Sequence, residues 1–191
     1  MANSNAPYGL APSRKLGGGA VTMNAYSIAT TYGTAMYTGD PVMLTGTGNN
    51  IELATAGTVN AIGVFAGCNY IAADGRVTFK PYWAAGTALE ANTTCEALVF
   101  DDPDIIFRAQ ADTVAAADIG ALVDWVIAAG STKTGRSGTY AEGSSTATTG
   151  KSLRLYRLLP EVGNAYGAYG QVEVMFAEHA LKGVVAGVGG D

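Results

Sequence analysis

Turn-forming residues interrupt this chain about every eight to twelve positions, and the apolar runs between them are too short for packed helices. Gly39-Asp-Pro41, the cluster Gly46-Thr-Gly-Asn-Asn50, the pair Asp74-Gly75 and the acidic turn Asp101-Asp-Pro-Asp104 each mark a reversal. Between them lie β-type segments at Ile51–Ala54, Ala61–Phe65, Cys68–Ile71, Val77–Tyr82, Glu96–Phe100 and Ile105–Ala111. Asp74-Gly75 reads as a hairpin turn between Tyr70-Ile71 and Val77–Tyr82. In that second segment Val77, Phe79 and Pro81 alternate with Thr78, Lys80 and Tyr82, the mark of a half-buried strand. Pro81 places the strand at an edge or a bulge. The pattern predicts an all-β fold, mainly an antiparallel barrel or sandwich, with one short helix.

Helix competes only at Thr113–Gly120, where Thr113 is a candidate N-cap and Gly120 ends the run after about two turns. Strand resumes over Leu122–Ala128. Residues 130–151 are almost wholly Gly, Ser, Thr and Ala and read as a long exposed loop. Ser152–Leu159 and Val172–Ala177 close the domain. Residues 1–20, with Pro7, Pro12 and Gly17-Gly18-Gly19, hold too few apolar groups for a core and predict an extended arm. It is either a disordered end or an arm that orders on a neighbouring subunit. Its adhesive points are Tyr8, Leu10, Arg14 and Lys15. The organisation expected is an arm (1–20), a single β-rich domain (21–183) and a flexible tail (184–191). No apolar leader is recognisable in the first twenty residues, and no apolar run is long enough to span a bilayer, so a soluble compartment and no membrane partner are expected.

Charge narrows the function. The chain is 48% hydrophobic but only 14% charged, with 26 glycines and a formal net charge of −5. A nucleic-acid partner would ask for a basic stripe, and Arg154 and Arg157, three apart on one strand, are expected to face opposite sides. So little charge also suggests that copies of the chain or a partner cover much of its surface.

Chemical motifs are sparse. His179 is the sole histidine, and it stands beside Glu178 at a strand end, as a surface or interface histidine would. No Gly-x-Ser-x-Gly elbow occurs to build a triad around it. Gly130–Ser137 approaches a phosphate loop, but Arg136 stands where lysine is required and no helix-forming stretch follows. Asp101, Asp102 and Asp104 lack the glycine and distal glutamate of a calcium loop. Cys68 and Cys95 have no CxxC spacing and no nearby histidine, so no metal or cofactor is expected. They read as two buried thiols, with a bridge between them as the alternative. Tyr166 and Tyr169, set between glycines in residues 163–170, form either a contact patch or a packed loop.

Three segments in series then carry a family likeness: Phe100–Asp112, an acidic turn running into a strand; Ser152–Pro160, a strand ending in proline; and Gln171–His179, a strand ending at the histidine. With the span from about Asp40 to Ala180, they resemble the head decoration (capsid cement) proteins of tailed bacteriophages. The resemblance implies a non-enzymatic structural virion protein, assembled in the host cytoplasm and seated on the capsid exterior. It further implies the major capsid protein and copies of itself, as a homotrimer, as partners. The contacts would come from Tyr8, Leu10, Arg14, Lys15, Tyr166 and Tyr169. The competing expectation is a carbohydrate- or receptor-binding β-module of a phage tail or spike, using Tyr82, Trp83 and the acidic turn.

Overall fold

The computed structural model describes residues 3–57 and 61–182. The strands in chain order are β1 (Ala11–Lys15), β2 (Asn24–Ile28), β3 (Met36–Tyr37), β4 (Pro41–Leu44), β5 (Ile51–Leu53) and β6 (Ala61–Ile71). Then follow β7 (Val77–Lys80), β8 (Tyr82–Trp83), β9 (Cys95–Phe100), β10 (Ile105–Gln110), β11 (Thr113–Val114) and β12 (Leu122–Val123). The last are β13 (Trp125–Val126), β14 (Tyr140–Ala141), β15 (Leu153–Leu158), β16 (Gly167–Ala168) and β17 (Gln171–Phe176). Every ladder between them is antiparallel.

Two larger sheets carry the architecture. One is five-stranded, in the order β1-β10-β17-β15-β12; the other is six-stranded, in the order β2-β9-β6-β4-β5 with β7 also on β6. Three two-stranded ladders, β3-β8, β11-β16 and β13-β14, fill the corners. The six-stranded sheet curls until β2 meets β5 at one parallel bridge, Ser27 to Asn50, without a ladder that would close it.

The long strand β6 joins the two halves. Its sequence, Ala61-Ile-Gly-Val-Phe-Ala-Gly-Cys-Asn-Tyr-Ile71, is a nearly unbroken apolar run, as expected of a strand buried on both faces. Breaks in its ladders fall at Ile62 against β4 and at Ala66 against β9. Each extra residue switches the side-chain alternation and bends the strand. Ala61 and Val64 therefore join the core under the five-stranded sheet, with Leu10, Phe107, Trp125, Leu155 and Phe176. Ile62, Phe65, Cys68 and Tyr70 join the second core inside the curl, with Trp83, Cys95 and Val99. At the first bend only glycine fits: Gly63 has φ +154°, and a Cβ there would lie 2.2 Å from the Phe100 carbonyl oxygen.

Several expectations need correcting. Of the expected arm, residues 3–20 are described, and they are not detached from the core. Leu10 is fully buried, and Ala11–Lys15 form the edge strand of the five-stranded sheet, in register with Ile105–Arg108. One well-placed leucine and a ladder of backbone hydrogen bonds anchor a segment whose composition looks unfoldable. The predicted helix is a single 3₁₀ turn at Ala116–Asp118, and Thr113 belongs to β11 instead of capping it. Leu122–Ala128 splits into β12 and β13 around Asp124.

The segment 130–151 is not wholly exposed either, since Gly135, Ser137–Thr139 and Ala141 are buried. Its small residues let backbone pass between other chains: Gly130 lies on the Tyr37 ring and Gly135 on Pro81. Arg154 and Arg157 stand on the same face, because a register break between Leu155 and Arg157 adds a residue and pairs Arg154 with Met175 and Arg157 with Glu173. The expected β7 pairing holds, with Ala72–Arg76 as its turn. Its burial is inverted: Val77 is 82% and Phe79 57% exposed.

Candidate interaction surfaces

The N-terminal segment crosses the fold as a strap. Asn3 Nδ2 donates to the carbonyls of Ala165 and Ala168 at 2.9 and 3.0 Å. Gln110 clasps the next stretch, its Oε1 accepting the Ala6 N–H and its Nε2 donating to the Ser4 carbonyl, both at 2.9 Å. The chain then passes between two loops, where Gly9 donates to the Thr139 carbonyl at 3.1 Å and Leu10 to that of Gly39 at 2.8 Å. Gly9 has φ +82°, and a Cβ on it would come within 2.8 Å of both Gly39 Cα and Ser137 Cβ. Asp40 organises this crossing. Its Oδ1 accepts the Ser137 and Thr139 hydroxyls, and its Oδ2 accepts the Tyr37 N–H at 2.8 Å. Burial pushes the Asp40 carboxyl up, and these donors pull it partly back.

The residues singled out in the sequence separate accordingly. Tyr8 donates its hydroxyl to Gln171 Oε1 at 2.8 Å. Leu10 is in the core. Arg14 reaches Glu173 Oε2 at 2.8 Å and lies 5.4 Å over the Tyr156 ring. Lys15 pairs with Asp102. These four are engaged within the fold. Tyr166 and Tyr169 share the loop between β15 and β17 and are 49% and 37% exposed; Tyr169 holds φ +58°, rare for a tyrosine. Val162 on the same loop is fully exposed.

Two polar clusters draw on partners that no local motif brings together. Glu173, buried on β17, accepts Arg14 from β1 and Arg157 from β15, the latter at 2.7 and 3.1 Å. The register of the strands assembles them, and no local motif does. Asp101 accepts the Tyr26 hydroxyl at 2.7 Å and the Asn24 amide at 2.9 Å. Asp104 pairs with Lys182 at 3.5 Å. The carboxylates of the acidic turn are thus engaged by Asn24, Tyr26, Lys15 and Lys182, and among the described residues no group of three or more His, Cys, Asp or Glu could hold a metal ion.

His179 is not at the surface but buried, edge-on to Phe176 at 5.6 Å, with Nδ1 accepting the Leu181 N–H at 3.2 Å. Burial lowers its pKa. Trp83 and Trp125 are fully buried, and the Tyr82 ring stacks on Tyr37 at 5.9 Å, so Tyr82 and Trp83 do not form a sugar platform. Cys68 and Cys95 are two free, buried thiols. A hydrogen bond between them lowers the Cys68 thiol and raises that of Cys95.

Several large apolar side chains are presented outward. On the outer face of the six-stranded sheet, Val77 stands in register with Ile71, and Phe79 with Asn69 and Glu96. Gly67 leaves room for the Phe79 ring, which would lie 2.9 Å from a Cβ at that position. A second exposed group gathers near Asp104, whose carbonyl accepts the Leu16 N–H at 2.9 Å. Leu16 and Leu181 there are 49% and 56% exposed. Comparison with known proteins finds no matching family model, no similar curated protein and no similar solved structure.

Proposed function

We propose that the protein is a structural binding protein that attaches to the outer surface of a tailed-phage capsid and stabilises the shell by many non-covalent contacts. The single observation that supports this reading best is the inverted β7: an edge strand whose aliphatic and aromatic side chains face out. Exposed large apolar groups on an unpaired edge are a liability for a free protein and an asset for one that works covered. A chain with only 14% charged residues is suited to being covered. The resemblance of Phe100–Asp112, Ser152–Pro160 and Gln171–His179 to capsid cement proteins supplies the identity of the surface. The curled six-stranded sheet is consistent with an incomplete barrel, and a homotrimer would multiply modest contacts through effective concentration.

Addition of the purified chain to capsids that lack it tests the proposal. Saturable binding in a fixed ratio to the shell protein, with a raised capsid melting temperature, is the expected result. No retention at micromolar concentration would overturn it.

A second reading, a glycan- or receptor-binding module, has one feature in its favour. A cleft of about 280 Å³ is lined by Tyr140, Tyr169, Asn5, Gln110 and Asp112, aromatic walls with polar groups between them.

A further inference from the structure

Most of the eleven basic side chains in this chain are consumed within the fold. Arg14 and Arg157 pair with Glu173, Lys15 with Asp102, Arg76 with Asp74, Lys151 with Asp124 and Lys182 with Asp104. Arg136 is different. Only its backbone is bonded, the carbonyl accepting the Ser131 N–H at 2.9 Å and the N–H donating to Thr134 Oγ1 at 3.3 Å. Its side chain is exposed on the rim of a cleft of about 480 Å³ that Arg108, Tyr8, Gln171 and Glu161 also line.

Arg108 projects into the same cleft from β10. Its Nη2 meets the Glu161 carboxylate, but its Nε is shut away from solvent with no hydrogen-bond partner. A buried N–H of that kind is costly to leave unmade, so the Arg108 guanidinium keeps donor capacity beyond its bond to Glu161. Burial raises the Tyr8 phenol, while Arg108 and Arg136 both pull it down, so the two cations act on one point. Arg108 and Arg136 line one cleft and Glu161 meets only Nη2 of Arg108, so an oxyanion set between the two guanidinium groups would take charge-assisted bonds from both. The Tyr8 hydroxyl already donates to Gln171 Oε1, which leaves the Gln171 amide nitrogen as a further donor.

We propose that this cleft binds carboxylate, taking a side chain of an acidic peptide segment between Arg136 and Arg108. Glu161 shows the preference, since Arg108 already holds a carboxylate at the rim. A phosphate dianion would press two charges against that glutamate where a carboxylate presses one. The loop of Arg136, although its sequence approaches a phosphate loop, runs into β14, so no helix N-terminus adds N–H groups for phosphate. The proposal stands apart from capsid attachment: a chain that joins no shell can still bind an acidic peptide.

Calorimetric titration of the full chain with triglutamate, and separately with inorganic phosphate, at low ionic strength tests it. The expected result is saturable one-to-one binding of triglutamate, weakened about tenfold or more by Arg136→Gln and strengthened by Glu161→Gln, which removes the competing carboxylate. Arg136 is exposed, and an unchanged near-ultraviolet spectrum checks that its variant is folded. No binding by the wild type, equal binding by Arg136→Gln, weaker binding by Glu161→Gln, or Arg136-dependent binding of phosphate tighter than that of triglutamate would each overturn the proposal.

Discussion

Glu173 shows how one side chain can hold several strands. Burial pushes its carboxyl up, but the hydrogen bonds and charges of Arg157 and Arg14 outweigh burial and hold it below the ordinary range. A folded pKa below the unfolded one means that the stabilisation is complete above about pH 4.5 and is lost as pH falls through the folded value. Glu173→Gln should therefore lower the urea midpoint at neutral pH, by on the order of 1 kcal/mol of stability because both arginines reach water. It should also flatten the acid limb of the stability curve. An acid limb of unchanged steepness would show that other carboxylates carry it. The thiols give a second check at this scale. Cys68 and Cys95 are fully buried, so the native chain should react slowly with a thiol reagent and the denatured chain should expose two groups. Rapid labelling of the native protein would contradict this packing.

At the scale of elements, legibility depended on whether the signal was local. The turn at Gly39–Pro41, the Gly46–Asn50 cluster that joins β4 to β5, and the Asp74-Gly75 hairpin were all readable, because turn chemistry is written in adjacent residues. In β15 the alternation of Leu153 and Leu155 with Arg154 and Tyr156, and its break at Arg157, are readable in the sequence; that the break is an extra residue shows only in the pairing with β17. Composition misled within the segment 130–151, where Ser137–Thr139 are buried and Asp40, nearly a hundred residues away, accepts the Ser137 and Thr139 hydroxyls. Strand alternation likewise states that two faces differ without stating which is covered, hence the outward Val77 and Phe79. The first strand misled for the same reason as the loop, since its partners lie far along the chain. The burial of Leu10, which leads into that strand, makes a firm prediction. Leu10→Ala should cost about 2–5 kcal/mol, a fall in thermal midpoint of roughly 5–15 °C for a chain of this size. Removal of residues 1–20 should be more damaging, because it also opens the β10 edge. A truncated chain that melts at the wild-type temperature would show β1 to be dispensable.

On the whole-molecule scale, attachment and solubility draw on different surfaces, and salt separates them. Ion pairs occupy most of the basic residues internally. The exposed apolar groups are concentrated on β7, on the loop carrying Val162, Tyr166 and Tyr169, and around Leu16 and Leu181. Contacts made by such groups strengthen in kosmotropic salt, whereas contacts between exposed charges are screened beyond about 10 Å at 0.1 M salt. Val77, 82% exposed on an edge strand, can be changed with an expected effect on stability within about 0.5 kcal/mol. Val77→Lys should leave the melting curve of the isolated chain nearly unchanged. It should reduce the assembly state seen by light scattering, predicted to be trimeric in the wild type, and weaken retention on capsids. Because a lysine on an edge strand also blocks strand addition by a neighbour, the defect should exceed that of Val77→Thr. Retention of both variants at wild-type strength, with loss of binding in 1 M sodium chloride, would move the attachment surface away from β7 and onto charged groups such as Arg136.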